Sequence, residues 1–159
     1  MATTITSATF TSTITESINL NGSEQGSTNT VTISSVNEIF KRIISVPTSP
    51  EVTLYTTNAS TVQGSVFDVD LVQYVRVTNL DDANWCAIRV TDANSDEFIM
   101  KLEAGKSFVL GTHSNDGADG AMSAGKAENA GAVPDAAIVS MEAQANSGTC
   151  DLEIFIAST

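Results

Sequence analysis

The sequence predicts an all-β fold: an antiparallel β-sandwich or jelly-roll-like barrel, with an extended N-terminal arm and a long Gly/Ala-rich loop. Three observations carry this. Short runs alternate apolar and polar residues, the period-two signature of half-buried strand. Clusters of Asp, Asn, Ser and Gly punctuate the runs, and these residues bond their own backbone in turns. Thr and Ser supply 20 and 18 of the 159 residues, while charged residues make up only 16%. Neutral hydroxyls in that proportion favour strands and turns over solvated helices. A chain of this length forms one domain and hides roughly 68–70% of its unfolded surface, so it needs no disulfide or metal to fold.

The elements follow in order. Residues 3–20 place Phe10, Ile14, Ile18 and Leu20 on one parity with polar residues between. The opening is thin in large apolar groups. Residues 1–20 therefore read as an arm or first strand that gains order on a neighbouring chain, and 21–159 as a single β domain. Residues 21–29 form a turn or loop, and Val31–Ile33 a short strand. In residues 37–46, Ile39, Phe40, Ile43 and Ile44 also fit a helical stripe, but β-branching and Pro47 favour strand. Residues 51–57 form the next strand.

From Tyr74 to Leu110, strands at 74–79, 85–91, 98–102 and 107–110 are joined by turns at 80–84, 92–96 and 103–106. Connections this short predict an antiparallel meander. Residues 111–135 then hold five glycines, many alanines and almost no large apolar side chains, which predicts a projecting loop. Residues 136–143 and 152–157 read as a closing hairpin.

Charge excludes function classes. Seven Lys and Arg face nineteen Asp and Glu, a formal charge of −12, and only Lys41 and Arg42 are adjacent basic residues. Coating nucleic acid requires clustered cations that release phosphate counterions, so direct nucleic-acid binding is disfavoured. An anionic membrane surface repels the chain for the same reason. The first forty residues hold no Lys or Arg and no apolar run follows Met1, so no signal peptide is expected. Cys86 and Cys150, 64 positions apart, fit no zinc or C-x-x-C spacing. They read as buried free thiols, with a single inter-strand bridge as the alternative.

No catalytic, cofactor-binding or metal site is assigned. His113 is the only histidine and stands beside Ser114 and Asp116 in the Gly-rich loop, where no rigid scaffold holds a catalytic triad. Asp68 with Asp70, and Asp81 with Asp82, lie at turns, where Asp is a common residue. Asp92, Asn94, Asp96 and Glu103 match positions 1, 3, 5 and 12 of a calcium loop. Glu97 stands where that loop needs Gly, and the flanks read as strand. The segment from Asn115 to Asp119 is a weaker acidic candidate. Trp85, Phe98, Phe108 and Phe155 could form a sugar-binding shelf, although aromatic residues in strands usually pack a core.

Two segments resemble small virion proteins of tailed bacteriophages, especially marine and cyanobacterial ones. They are Tyr74-Val-Arg-Val-Thr-Asn79-Leu-Asp and Phe98-Ile-Met-Lys-Leu102-Glu-Ala-Gly105-Lys-Ser-Phe108-Val-Leu, with weaker similarity over residues 36–44. The resemblance implies a non-enzymatic capsid decoration or cement protein located in the virion and assembled in the host cytoplasm. Its implied partners are the major capsid protein and copies of itself, in a homo-oligomer such as a trimer. A neck, tail or fibre-attachment component is the alternative within that class, and a carbohydrate-binding β-sandwich module the alternative outside it.

Overall fold

Runs with period-two alternation form strands, and no helix occurs among the residues that the computed structural model describes, 5–58, 67–68, 71–111 and 138–159. In chain order the strands are β1 (Ala8–Thr15), β2 (Asn19–Leu20), β3 (Ser23–Glu24), β4 (Thr28–Val36), β5 (Glu38–Val46), β6 (Val52–Asn58), β7 (Phe67–Asp68), β8 (Val72–Asn79), β9 (Cys86–Asp92), β10 (Glu97–Leu102), β11 (Ser107–Gly111), β12 (Ile138–Ala145) and β13 (Cys150–Ser158). The ambiguous segment 37–46 is strand, because β13 pairs along its whole length, from Cys150 against Val46 to Ser158 against Glu38.

Two sheets share one core. The first has the order β10-β9-β12-β6-β7 and the second β11-β8-β13-β5. Pairing is antiparallel except between β6 and β7. Alternation explains which side chains meet. Cys86, Ile88 and Val90 of β9 and Met141, Ala143 and Ala145 of β12 point inward from one sheet. Val75 and Val77 of β8 and Leu152, Ile154 and Ile156 of β13 point inward from the other. Each large side chain removed from water this way contributes about 1.5–3 kcal/mol. The two open rims are closed by aromatic rings. Phe98 of β10 meets Phe108 of β11 edge-on at 6.5 Å, and at the opposite rim Phe67 of β7 meets Phe40 of β5 at 5.5 Å.

The structure corrects two expectations. The strands of residues 74–110 are not a meander: β9 and β10 form a hairpin in the first sheet, while β8 and β11 pair with each other in the second. Likewise β12 and β13 are not a hairpin, because β12 lies between β9 and β6 and β13 between β8 and β5. The physical reason is the reach of the connections. A turn of four or five residues can close a hairpin, but it also spans the roughly 10 Å between stacked sheets. Alternation is the same in either case. Asn79 decides the first of these crossings. Fully buried at the end of β8, it donates from Nδ2 to the carbonyls of Asn84 (2.9 Å) and Leu102 (3.2 Å) and accepts from the Asp81 N–H (3.0 Å). One side chain thereby fastens the second sheet to the crossing turn and to the end of β10 in the first.

Residues 8–36 form a separate two-stranded ribbon, with β1 antiparallel to β4 and the short pair β2–β3 beyond it. Its tip is an Asn21-Gly22 turn with both residues at positive φ, the geometry that suits the twist of a two-residue hairpin. Gly26 lies so close to the Glu16 carbonyl that an added Cβ would collide with it, so only glycine fits where the chain segments between the strand pairs approach. Ser35, at positive φ, sits where the pairing of β4 with β1 shifts register at the ribbon base, and Asn37 alone separates β4 from β5. At its base, Phe10, Val31, Ile33 and Val36 pack on Tyr74, Phe155 and Ala157, forming a small second core on the outer face of the second sheet. Phe10 stacks 5.4 Å from Phe155 and 4.8 Å from Tyr74. An isolated two-stranded ribbon is marginal in water, so this base holds it. Phe10→Ala is therefore expected to speed amide exchange in residues 8–15 and 28–36 by roughly tenfold, the equivalent of about 1.4 kcal/mol of lost burial. Exchange in β9, β12 and β13 should be unchanged; equal acceleration there would show that the ribbon and body open together.

Candidate interaction surface

The outer face of the second sheet and the ribbon that crosses it form the most distinctive surface among the described residues. The ribbon base sits over β13 and β8. Farther along, Ser12, Ile14, Asn29 and Val31 face Tyr74, Val109 and Gly111 across a cleft of about 220 Å³. The Ser12 and Tyr74 hydroxyls stand 3.4 Å apart at its floor. Beyond Thr15 the ribbon bonds within itself: Glu16 N–H to the Ser27 carbonyl at 2.7 Å, and Glu24 Oε1 accepting from the N–H groups of Ile18 and Gly26 at 3.0 and 2.8 Å. These backbone donors hold the Glu24 carboxyl below the usual carboxylate range. The parity read from the sequence thus has two outcomes. Phe10 is half-buried against the body, while Ile14, Ile18 and Leu20 remain exposed.

Beside the ribbon, Glu153 links three strands. Its Oε2 meets Lys41 Nζ of β5 at 3.0 Å and its Oε1 meets Arg76 Nη2 of β8 at 2.7 Å. Both hydrogen-bonded cations hold the Glu153 carboxyl below its ordinary value. Arg76 also lies over the Phe155 ring at 5.9 Å, so charge and second core are continuous. On the first sheet, Arg89 collects Glu97 of β10, Glu142 of β12 and Glu51, the residue just before β6.

The sites weighed from sequence fall elsewhere. His113, Ser114, Asp116, the segment 115–119 and the loop from residue 112 lie outside the described residues, as does Asp70; Asp68 stands in β7. Asp81 does not join Asp82 but turns its Oδ1 to the N–H groups of Ala83 and Asn84 at 2.8 and 2.6 Å, which lowers its pKa. In the calcium-like spacing, Asp92 Oδ1 accepts from the N–H groups of Asn94 and Asp96 at 2.9 and 2.8 Å and so shapes the β9–β10 turn. Glu103 lies past the far end of β10, a strand about 20 Å long, and pairs with Lys101. The structure does not bring these ligand types together. Nor does it assemble the aromatic shelf. Trp85 lies beside Lys101, with Nζ 4.9 Å from its ring; Phe98 and Phe108 close a rim; Phe155 lies under the ribbon. Sequence reasoning missed Asn79 and Tyr74, whose roles depend on residues far along the chain.

The cysteines meet in the core as free thiols at facing positions of β9 and β13. Burial and a thiol–thiol hydrogen bond to Cys150 push the Cys86 thiol up to about 12, and burial raises Cys150 as well. An unfolded thiol ionises at about 8.5. Below that pH both states hold the proton and stability is constant. Above it the unfolded chain loses the proton first, so stability is expected to fall by about 1.4 kcal/mol per pH unit for Cys86 until its folded value is passed. Denaturant titrations from neutral to alkaline pH check this, with a shallower decline expected for Cys86→Ala. Compared with protein-family models, with curated proteins and with solved structures, the chain matches none.

Proposed function

We propose that this protein is a structural component of a tailed-bacteriophage particle, binding the outer capsid surface as a decoration or cement protein. The two sheets with one core make a β-sandwich, with rims closed by aromatic contacts in place of the continuous hydrogen bonding of a barrel. The N-terminal ribbon takes the place of the extended arm. The observation that carries the reading is this ribbon: a long, uncharged-to-acidic projection with an exposed apolar stripe, mounted on a body that packs only its base. A projection that buries little by itself suits adhesion to a neighbour. Contact made only in the assembled shell stabilises that shell by mass action, with no reaction needed. The acidic balance keeps such a protein from adhering to nucleic acid.

Mass spectrometry of purified particles, with copy number, tests the reading. On the order of hundreds of copies and a loss of heat tolerance in particles lacking the protein are expected for decoration by symmetric assembly. Roughly six or twelve copies would assign it to the neck or tail, and absence from particles would end the proposal.

A further inference from the structure

We propose that two copies of this chain exchange ribbons: with the joint at Ser35 extended, the ribbon of each copy leaves its own body and seats Phe10, Val31 and Ile33 on Tyr74, Phe155 and Ala157 of the other. This rests on the reading of the ribbon as an adhesive projection and names its partner as a second copy.

The ribbon is held in a way that lets it go. Among the described residues, neither β1 nor β4 pairs with a strand of the two sandwich sheets, so undocking breaks no hydrogen-bonded ladder. The ribbon is held by the small second core and the contact between the Ser12 and Tyr74 hydroxyls. A second copy presents the same seat. An element docked through side chains alone can therefore be exchanged between identical chains with its contacts kept.

The joint favours exchange. Only Asn37 stands between β4 and β5, and its N–H is fixed to the Ser158 carbonyl at 3.0 Å, so the pivot lies just before it. There Ser35 holds φ at 60°. The pairing shows why: from Phe10↔Ile33 to Ala8↔Val36, β1 advances two residues and β4 three, which is a bulge. The left-handed conformation disfavours a residue with a Cβ by roughly five- to thirtyfold. Extended at Ser35, residues 28–46 run as one strand and the ribbon swings off its own sheet. Short hinges under strain invite this exchange.

Closure has one advantage, since ribbon and seat then share a chain and an effective concentration of roughly millimolar order. Strain released at both joints of a dimer offsets it when copies are crowded, as they are in an assembly. Ile33 stands two residues from Ser35, so the exchanging bodies lie against each other. Each copy gives and receives the same element, which makes the pair two-fold symmetric.

Light scattering on the full chain, refolded dilute and concentrated, tests this. The wild type is expected as the 16.6 kDa monomer when dilute and as a dimer when concentrated. Ser35→Gly removes the cost of the closed joint and is expected to weaken dimerisation by roughly thirtyfold, about fivefold at each of two joints. Ser35→Val, β-branched and averse to positive φ, is expected to strengthen it. In a dimer refolded from labelled and unlabelled chains, isotope-filtered NMR should show the Phe10 ring against Tyr74 of the other copy. A wild type that stays monomeric when concentrated, a Ser35→Gly chain that dimerises as tightly as wild type, or a dimer whose Phe10–Tyr74 contact remains within one copy overturns the proposal. The glycine variant and the NMR contact decide the matter even where Ser35→Val fails to fold. Co-sedimentation with particles separates the two ideas: a monomer that still binds particles removes only the exchange, and an exchanged dimer absent from particles removes only the virion reading.

Discussion

Ile154→Ala is expected to lower the unfolding free energy by about 2–5 kcal/mol, the range for a large aliphatic side chain removed from a packed core. Ile154 is fully buried at the middle of β13, opposite Val77 of β8 and Arg42 of β5. Its inward neighbours come from both sheets, and strands bonded on either side hold β13 in place, so the walls cannot collapse to fill the space. The transfer cost and the cavity cost then add. Since small domains hold only about 5–15 kcal/mol in total, such a loss is a large share of the whole. Urea titration should show a lower midpoint with an unchanged slope, because the surface exposed on unfolding is the same. A change below about 0.5 kcal/mol, the scatter of ordinary surface substitutions, would show that β13 does not occupy the centre of the core.

Asn79→Ala should cost nearly as much, about 2–4 kcal/mol, for a different reason. No large cavity is left. Instead the carbonyls of Asn84 and Leu102 and the N–H of Asp81 lose their side-chain partner at a buried position. A buried group stripped of its hydrogen bond costs about 1–3 kcal/mol, and here some of the three can regain water at the turn. Asn79→Asp separates the two contributions. It keeps the acceptor for Asp81 but replaces the donor to both carbonyls with a buried negative charge, so it should be at least as destabilising near neutral pH. If both variants melt with the wild type, the cross-sheet fastening has no energetic weight.

The sequence made the strands legible and left their partners illegible. Alternation in Cys86–Asp92 and Cys150–Ser158 states that one face is buried, and both strands are there. It does not state which sheet either joins, since an inward-facing residue looks the same from both layers. That is why 74–110 read as a meander: the turn at 80–84 has hairpin chemistry, and only Asn79, fixed by Leu102 twenty-three residues later, shows that it crosses. The ribbon was half legible. The Asn21-Gly22 turn and the parity of Phe10 and Ile14 were visible, but β4 runs nine residues where Val31–Ile33 alone looked strand-like. The flanking Thr, Asn and Ser of β4 lack apolar alternation because the ribbon buries so little; pairing with β1 makes them strand. Tyr74 looked like an ordinary strand aromatic, and its place beneath Phe10 follows from a contact 64 positions away that local pattern does not encode.

The position of β13 has a consequence for how the molecule is made. It lies between β5 and β8, and among the described residues nothing else joins those two strands in their sheet. As the polypeptide leaves the ribosome, the first half of that sheet must wait, edges bare, until residues 150–158 emerge to fill the gap. Strands synthesised this far apart pair slowly, because a long loop must close before any contact rewards it. Nascent chains of this protein should therefore engage chaperones that hold unpaired strands until residues 150–158 have emerged.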